Sequence, residues 1–316
     1  MRRLAAVLTT ALALALGVGL TACGESDPVA DAGAGDTREI THAMGATKVP
    51  AEPKRVVVLD TDKIDTALSL GVTPVGAATA GEAKSWPTYF GADKLTGITE
   101  VGVLTEPDLE AINALKPDLI LGSKFRQEKF YDELSAIAPT VFTEKVGVTW
   151  KENFLLDGAA LGKEQQAKDL LAAYEKRAKD FGAKLGDADA RKISIVRFIP
   201  GNIRVYGPDS FSGIVVGDTG LGRPERQRLE GKEDKRFDLV SAERVNEVDG
   251  DVVFVTAYGE KAAAEQAKVT TGSLWKGLSA VKAGKAHVVS DEVWMTGIGV
   301  GAANKILDDL ATYLAA

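Results

Sequence analysis

The sequence predicts an α/β protein of two similar lobes joined by one long helix. Three observations predict it. From residue 55 onward, short β-rich runs alternate with helical stretches, the pattern of a sheet covered by helices on both faces. Between Trp150 and Gly186 the strand signal vanishes, and residues 164–185 place Ala167, Leu170, Leu171, Tyr174, Ala178, Phe181 and Leu185 at helical spacing among charges, which makes one long amphipathic helix. The same unit then recurs on either side of that helix: LEAINALKPD leads into LIL at residue 119, and AERVNEVDGD leads into VVFV at residue 252. Glu110 precedes Asp118 by eight residues, and Glu243 precedes Asp251 by eight.

Taken in order, the chain opens on Met1-Arg2-Arg3, followed by an uncharged run over residues 4–20 and then Leu20-Thr21-Ala22-Cys23. A basic start, an apolar run and small residues before a break describe a secretory signal peptide. The run is rich in Gly, Thr and Ala and sits at the short limit for a spanning helix. Leu-Thr-Ala-Cys resembles the lipobox of bacterial lipoproteins, which implies cleavage before Cys23 and a lipid, with palmitate-type chains, on its sulfur. Each buried methylene of such chains is worth ~0.8 kcal/mol, so two or more hold a soluble domain at a membrane. Residues 24–37 (GESDPVADAGAGDT) carry few large apolar side chains and read as a tether.

Beyond the tether, VVVL at 56–59 is a buried-strand run, followed by Asp60-Thr61-Asp62 and a helix ending at Gly71. Further strands are expected at 72–75, 119–121 and 140–142, then at 193–196, 252–255 and 288–289, with a closing helix through Ala303, Ile306, Leu307, Leu310 and Leu314. The organisation is therefore a signal peptide over 1–22, a tether over 23–37, a Rossmann-like first lobe over 38–160, a rigid connecting helix over 161–187 and a second such lobe over 188–316.

Composition excludes several chemistries. The 316 residues carry 38 basic and 45 acidic groups, a net charge of −7. Loss of residues 1–22 removes Arg2 and Arg3 and no acid, so −7 becomes −9. That balance argues against nucleic acid as a partner and against electrostatic adhesion to anionic lipid. One Cys and two His are too few for a zinc or iron–sulfur site. The GIGVGA run at 297–302 has GxGxG spacing and no acid twenty residues on, so it reads as a tight turn opening the last helix and not as a dinucleotide loop. GDTGLGRP at 217–224 lacks the Lys of a phosphate loop. Asp60, Asp62 and Asp65 show no EF-hand spacing, and helix capping accounts for Asp60 or Asp62. His42 and His287 have no neighbouring nucleophile, and no catalytic constellation is present.

A set of aromatic and cationic residues falls at strand ends: Trp86 and Tyr89; Lys124, Phe125 and Arg126; Arg197 and Phe198; Tyr258; and Trp294. In open α/β sheets ligands bind beyond the carboxyl ends of the strands. Two facing lobes would therefore line one cleft with these residues.

With these features assembled, the sequence resembles the iron-siderophore solute-binding lipoproteins of bacterial ABC importers, whose two lobes are joined by one rigid helix. The segments that carry the resemblance are GVLTEPDLE at 102–110 with LKPDLI at 115–120; VRF at 196–198 through RVYG at 204–207 to SFSG at 210–213; and WKGL at 275–278 through AVKAG at 280–284. The resemblance implies that Arg197 reaches the oxygen shell of a ferric complex. It implies that Trp86, Phe198, Tyr206 and Trp294 pack on the chelator's carbon skeleton, and that Glu110 and Glu243 dock one lobe each onto arginines of the permease. It further implies a monomer, lipid-anchored on the extracytoplasmic face of the cell membrane, that is no enzyme and has no cofactor of its own, iron arriving wrapped in its siderophore.

The expected cargo is a ferric hydroxamate of ferrioxamine type, whose six oxygens leave no place for a protein ligand to the metal. Two conditions bear on that choice. If Lys124, Arg126, Arg197 and Arg204 all face the cleft, an anionic catecholate complex is favoured; if one or two do, a near-neutral hydroxamate. Haem or a cobalamin stands as the other bulky chelate, with Tyr206, Tyr89 or Tyr258 as the haem ligand, and a membrane-tethered enzyme as the remote alternative.

Overall fold

The computed structural model describes residues 36–81 and 86–314. The signal peptide, Cys23 and nearly all of the tether lie outside the described residues.

A hairpin of β1 (Thr37–His42) and β2 (Gly45–Pro50) leads into the first lobe. There β3 (Val56–Val58), β4 (Gly76–Thr79), β5 (Thr99–Val103), β6 (Glu106–Pro107), β7 (Leu119–Ser123) and β8 (Thr140–Thr143) form one sheet. Its order is β6-β5-β4-β3-β7-β8, parallel except at β6. The strand expected at 72–75 begins later, at Gly76, because Pro74 has no amide to give a ladder. The strand order reverses at β3, so the switch point between β3 and β7 opens a crevice where Thr61 and Arg126 emerge.

Helix α1 (Thr61–Ser69) follows β3, α2 (Leu109–Ala114) precedes β7, α3 (Tyr131–Ile137) precedes β8, and α4 (Trp150–Ala160) closes the lobe. Next comes α5 (Glu164–Leu185), a single 22-residue helix that buries Ala167, Leu171, Tyr174 and Ala178 along one stripe.

The second lobe carries β9 (Ile193–Ile199), β10 (Asn202–Tyr206), β11 (Phe237–Val240), β12 (Val252–Ala257) and β13 (Ala286–Val288) in the order β11-β10-β9-β12-β13. Strands β9, β12 and β13 are parallel, and β10 and β11 extend the sheet beyond β9 by antiparallel pairing. Helices α6 (Phe211–Asp218), α7 (Gly259–Thr270) and α8 (Val300–Leu314) complete the fold.

The repeated Asp of the two halves has one physical job. Asp118 accepts the backbone amides of Lys54 (2.7 Å) and Arg55 (2.9 Å), just before β3. Asp251 accepts the amide of Lys192 (2.7 Å), just before β9. Each carboxylate sits at the mouth of its own strand and clips the entry of the parallel neighbour, which sets the register of that pair.

One core runs through both lobes, from Val56, Ile64 and Phe154 through Trp150 and Tyr174 to Ile195, Phe254 and Leu310. Smaller cores lie under the outer face of each sheet. Within the first lobe a charged group is fully buried. Lys63 Nζ lies 3.0 Å from Asp62 and 2.9 Å from Asp157 and donates to Thr143 Oγ1 at 2.8 Å. Burial alone would discharge this lysine; Asp157 and Asp62 outweigh burial and push its ammonium up to about 12.

Candidate functional site

The site is built from two sheet ends. At the end of β3, Asp60 caps α1, accepting from the Thr61 amide at 2.8 Å. The same buried carboxylate accepts Ser123 Oγ and Arg126 Nε, each at 2.8 Å. Arg126, in the short turn of helix after β7, is thereby held by its inner nitrogen, and its outer face lines a cavity.

In the second lobe the antiparallel register puts Arg197 on β9 directly across from Arg204 on β10. Two like charges side by side repel, and each is handled separately. Arg197 donates Nε and Nη2 to Asp291 Oδ1 and Oδ2 at 2.7 and 2.6 Å, a two-pronged pair. Its Nη1 lies 3.4 Å from Tyr206 Oη, and its guanidinium carbon is 4.9 Å from the Tyr258 ring centre. Burial works against its charge, but Asp291 outweighs burial and raises its pKa above the ordinary value. Arg204 stacks instead over Phe237, 4.1 Å from the ring centre, a cation–π contact. Among the described residues it has no acidic partner within ion-pair distance, and its Nε is buried with no hydrogen-bond partner.

The three arginines meet in a cavity of about 570 Å³ between the lobes. Thr61, Ala80, Leu104, Thr105 and Arg126 line it from the first lobe; Arg197, Pro200, Arg204, Tyr258, Met295 and Ile298 line it from the second. Tyr258 Oη donates to the Ala80 carbonyl at 2.6 Å across the gap. Behind that bond lies a smaller cavity of about 270 Å³ with Thr88, Asp291 and Glu292 in its wall. A third, of about 440 Å³, sets Phe125 and Lys145 against Asp209 and residues 233–236.

Of the strand-end residues read from the sequence, Arg126, Arg197 and Tyr258 thus converge, with Arg204 beside them and Tyr206 buried beneath Arg197. Phe125 is exposed and faces the third cavity. Lys124 stands 3.5 Å from Glu144 and is not in the cavity wall. Trp86 packs half-buried against the shared core, and Tyr89 gives its hydroxyl to Asp65 at 2.7 Å.

Two expectations are corrected. Phe198 is fully buried under the outer face of the sheet. Successive strand residues point to opposite faces, so turning Arg197 to the cleft turns Phe198 away from it. Trp294 is also fully buried, stacked 4.5 Å from Phe254, with Nε1 donating to Asp309 at 2.7 Å. It follows a strand end, but its segment coils back under the sheet as a π-helical turn, Glu292–Thr296.

Asp291, Phe237 and Met295 were missed, and Asp60 was read only as the helix cap that it also is. Asp291 was within reach of the same strand-end rule, since it stands three residues past β13. Phe237 gave no signal, being on an edge strand that lacks a clean apolar run. Both histidines are away from the site: His42 pairs with Thr47 and the Phe142 amide, and His287 stacks on Tyr313. Among the described residues no group of three or more His, Cys, Asp or Glu is placed to hold a metal, and no described helix is long and apolar enough to cross a membrane.

Comparison with known proteins gives this arrangement its context. The chain is 43% identical over 304 residues to a Bacillus subtilis protein named "Probable siderophore-binding lipoprotein YfiY", covering 93% of each chain. It is 32% identical to the Fe(3+)-citrate-binding protein YfmC of the same bacterium, covering 82% of this chain and 80% of the relative. Among solved structures, Staphylococcus aureus SirA complexed with staphyloferrin B superposes with a TM-score of 0.77 at 36% identity, covering 88% of this chain and 99% of that one. The periplasmic binding protein family matches residues 56–292. Two α/β lobes on one helix, a cleft between them and this match place the chain in the periplasmic binding protein family.

Proposed function

We propose that this chain is a siderophore-binding protein of an ABC iron-uptake system, and that the chelate it takes is anionic. The observation that carries the charge class is the convergence of Arg126, Arg197 and Arg204 on one cavity, with Arg204 unmatched by any acid among the described residues. Three of the four basic residues that bear on the choice face the cleft, and a neutral hydroxamate complex would leave the charge of Arg204 unanswered in a half-buried site. A relative that binds Fe(3+)-citrate and a neighbouring structure holding staphyloferrin B support a ferric chelate as cargo. Arginine suits it because the guanidinium stays charged and offers several N–H groups in one plane to the chelate's oxygens.

In this reading the protein binds and does not catalyse. Cys23 carries the lipid that holds it at the extracytoplasmic face of the membrane, which the mass of the mature N-terminal peptide reads directly. Calorimetric titration tests the cargo. Ferric citrate and a trianionic ferric tris-catecholate should bind at least roughly tenfold tighter than a neutral ferric trihydroxamate, a difference of about 1.4 kcal/mol. Equal or tighter binding of the neutral complex overturns the anionic assignment, and heat from none of them overturns the ferric-chelate reading.

A further inference from the structure

The cleft is less positive than its arginines suggest. Arg126 shares its Nε with Asp60, and Arg197 is held on two nitrogens by Asp291. Both acids are sheltered: Asp60 is fully buried, and the Asp291 side chain is 13% exposed. Of these five charged groups only Arg204 is left over, so the described wall offers a cargo about one net positive charge in place of three.

We infer that Asp291 is a specificity-determining residue, an internal counter-anion that limits how negative a chelate the cleft accepts while it positions Arg197. The geometry separates those two duties. Asp291 occupies the Nε–Nη2 edge of Arg197 and so fixes the plane of the guanidinium, with the remaining nitrogen beside Tyr206 and the flat face on Tyr258. Its own negative charge sits at the wall of the adjoining small cavity, one guanidinium away from the main one. A trianion in the main cavity feels that charge three times as strongly as a monoanion does, and a neutral complex hardly feels it. Asp60 has the same relation to Arg126, but it also caps α1 and neighbours the buried Lys63 cluster, which makes Asp291 the cleaner handle.

The inference rests on the anionic-chelate reading, and a ratio distinguishes the two. Dissociation constants are measured for a trianionic ferric tris-catecholate and a neutral ferric trihydroxamate, with wild type, Asp291→Asn and Asp291→Glu. Asp291→Asn keeps an oxygen for Arg197 and loses the charge. It should shift the affinity ratio toward the trianion by roughly tenfold, even if looser positioning of Arg197 weakens both. Asp291→Glu keeps the charge and should hold the ratio within about threefold of wild type. An unmoved ratio in Asp291→Asn, or an Asp291→Glu ratio that moves as far as the Asn one, makes Asp291 a structural partner only and overturns the inference. Failure of the wild type to bind either complex would sink the ligand reading itself, and this inference with it.

Discussion

Arg204 and Arg197 face each other across one rung of the β9–β10 ladder, yet they are maintained by different forces. Arg197 depends on a carboxylate, and truncating it strands Asp291 in a half-buried wall, a cost in stability as well as binding. Arg204 depends on an aromatic face, and its loss strands no acid among the described residues. Arg204→Ala should therefore weaken binding of an anionic ferric chelate by roughly ten- to a hundredfold, the value of one charged hydrogen bond of about 1.5–3 kcal/mol, while the melting temperature moves little. Arg197→Ala should weaken binding by at least about tenfold and lower the melting temperature too. Titration and thermal melts of both variants check the contrast; equal melting losses would contradict it. Arg197 was legible because a charged residue directly after an apolar strand run is anomalous in itself; Arg204 came only with the resemblance and the count of cleft charges. Phe198 and Trp294 were not legible, since an aromatic at the same place serves a core as readily as a cleft, and only the pleat and the path of the next turn decide.

The opening of α8 shows what an element can hide. The GxGxG run was readable as a tight turn opening the last helix; it opens that helix as an irregular entry over 297–299 with Val300 and Gly301 already in the first helical turn. What fills its N-terminus comes from 236 residues earlier in the chain: Asp65 on α1 accepts the amides of Gly301 and Ala302, each at 2.9 Å, with Tyr89 Oη at 2.7 Å and Ser69 Oγ at 3.2 Å. Gly299, at φ +147°, and Gly301 leave no room for a side chain; a Cβ on either would fall within 2.8 Å of the carboxylate. The helix end thus binds an anion, but one the chain supplies itself.

Burial outweighs those four hydrogen bonds and raises the Asp65 carboxyl from 3.8 to about 6. Between those values the folded chain holds the proton more tightly than the unfolded one, so the group's contribution to stability falls as pH rises through the window and is level above it. Asp65→Asn removes that slope. Urea unfolding at pH 4 and pH 7 should show wild type losing ground to the variant at the higher pH, at roughly 1.4 kcal/mol per pH unit within the window. A gap that does not change with pH would contradict it.

At the scale of the molecule, the repeat that first suggested two lobes was legible because each half must clip its own parallel strands. Its acids Glu110 and Glu243 are both exposed on the described surface, each in the first turn of a helix that leads to a central strand. We propose that they meet basic residues of the permease, one lobe each. Glu110→Lys and Glu243→Lys together should leave the affinity for chelate unchanged and abolish iron uptake in cells that depend on this protein, measured with radiolabelled iron. Uptake at the wild-type rate would remove them from docking. The antiparallel strands β10 and β11 and the pairing of Arg126 with Asp60 were not legible, because both depend on chain segments brought together only by folding.

The continuous core has a consequence for how the protein comes apart. Side chains of both lobes are packed into one hydrophobic mass along α5 and α8, so opening one lobe bares apolar surface on the other, which keeps only the smaller core under its outer sheet face. A partly denatured copy therefore loses the shared packing that sets the two walls of the cleft against each other.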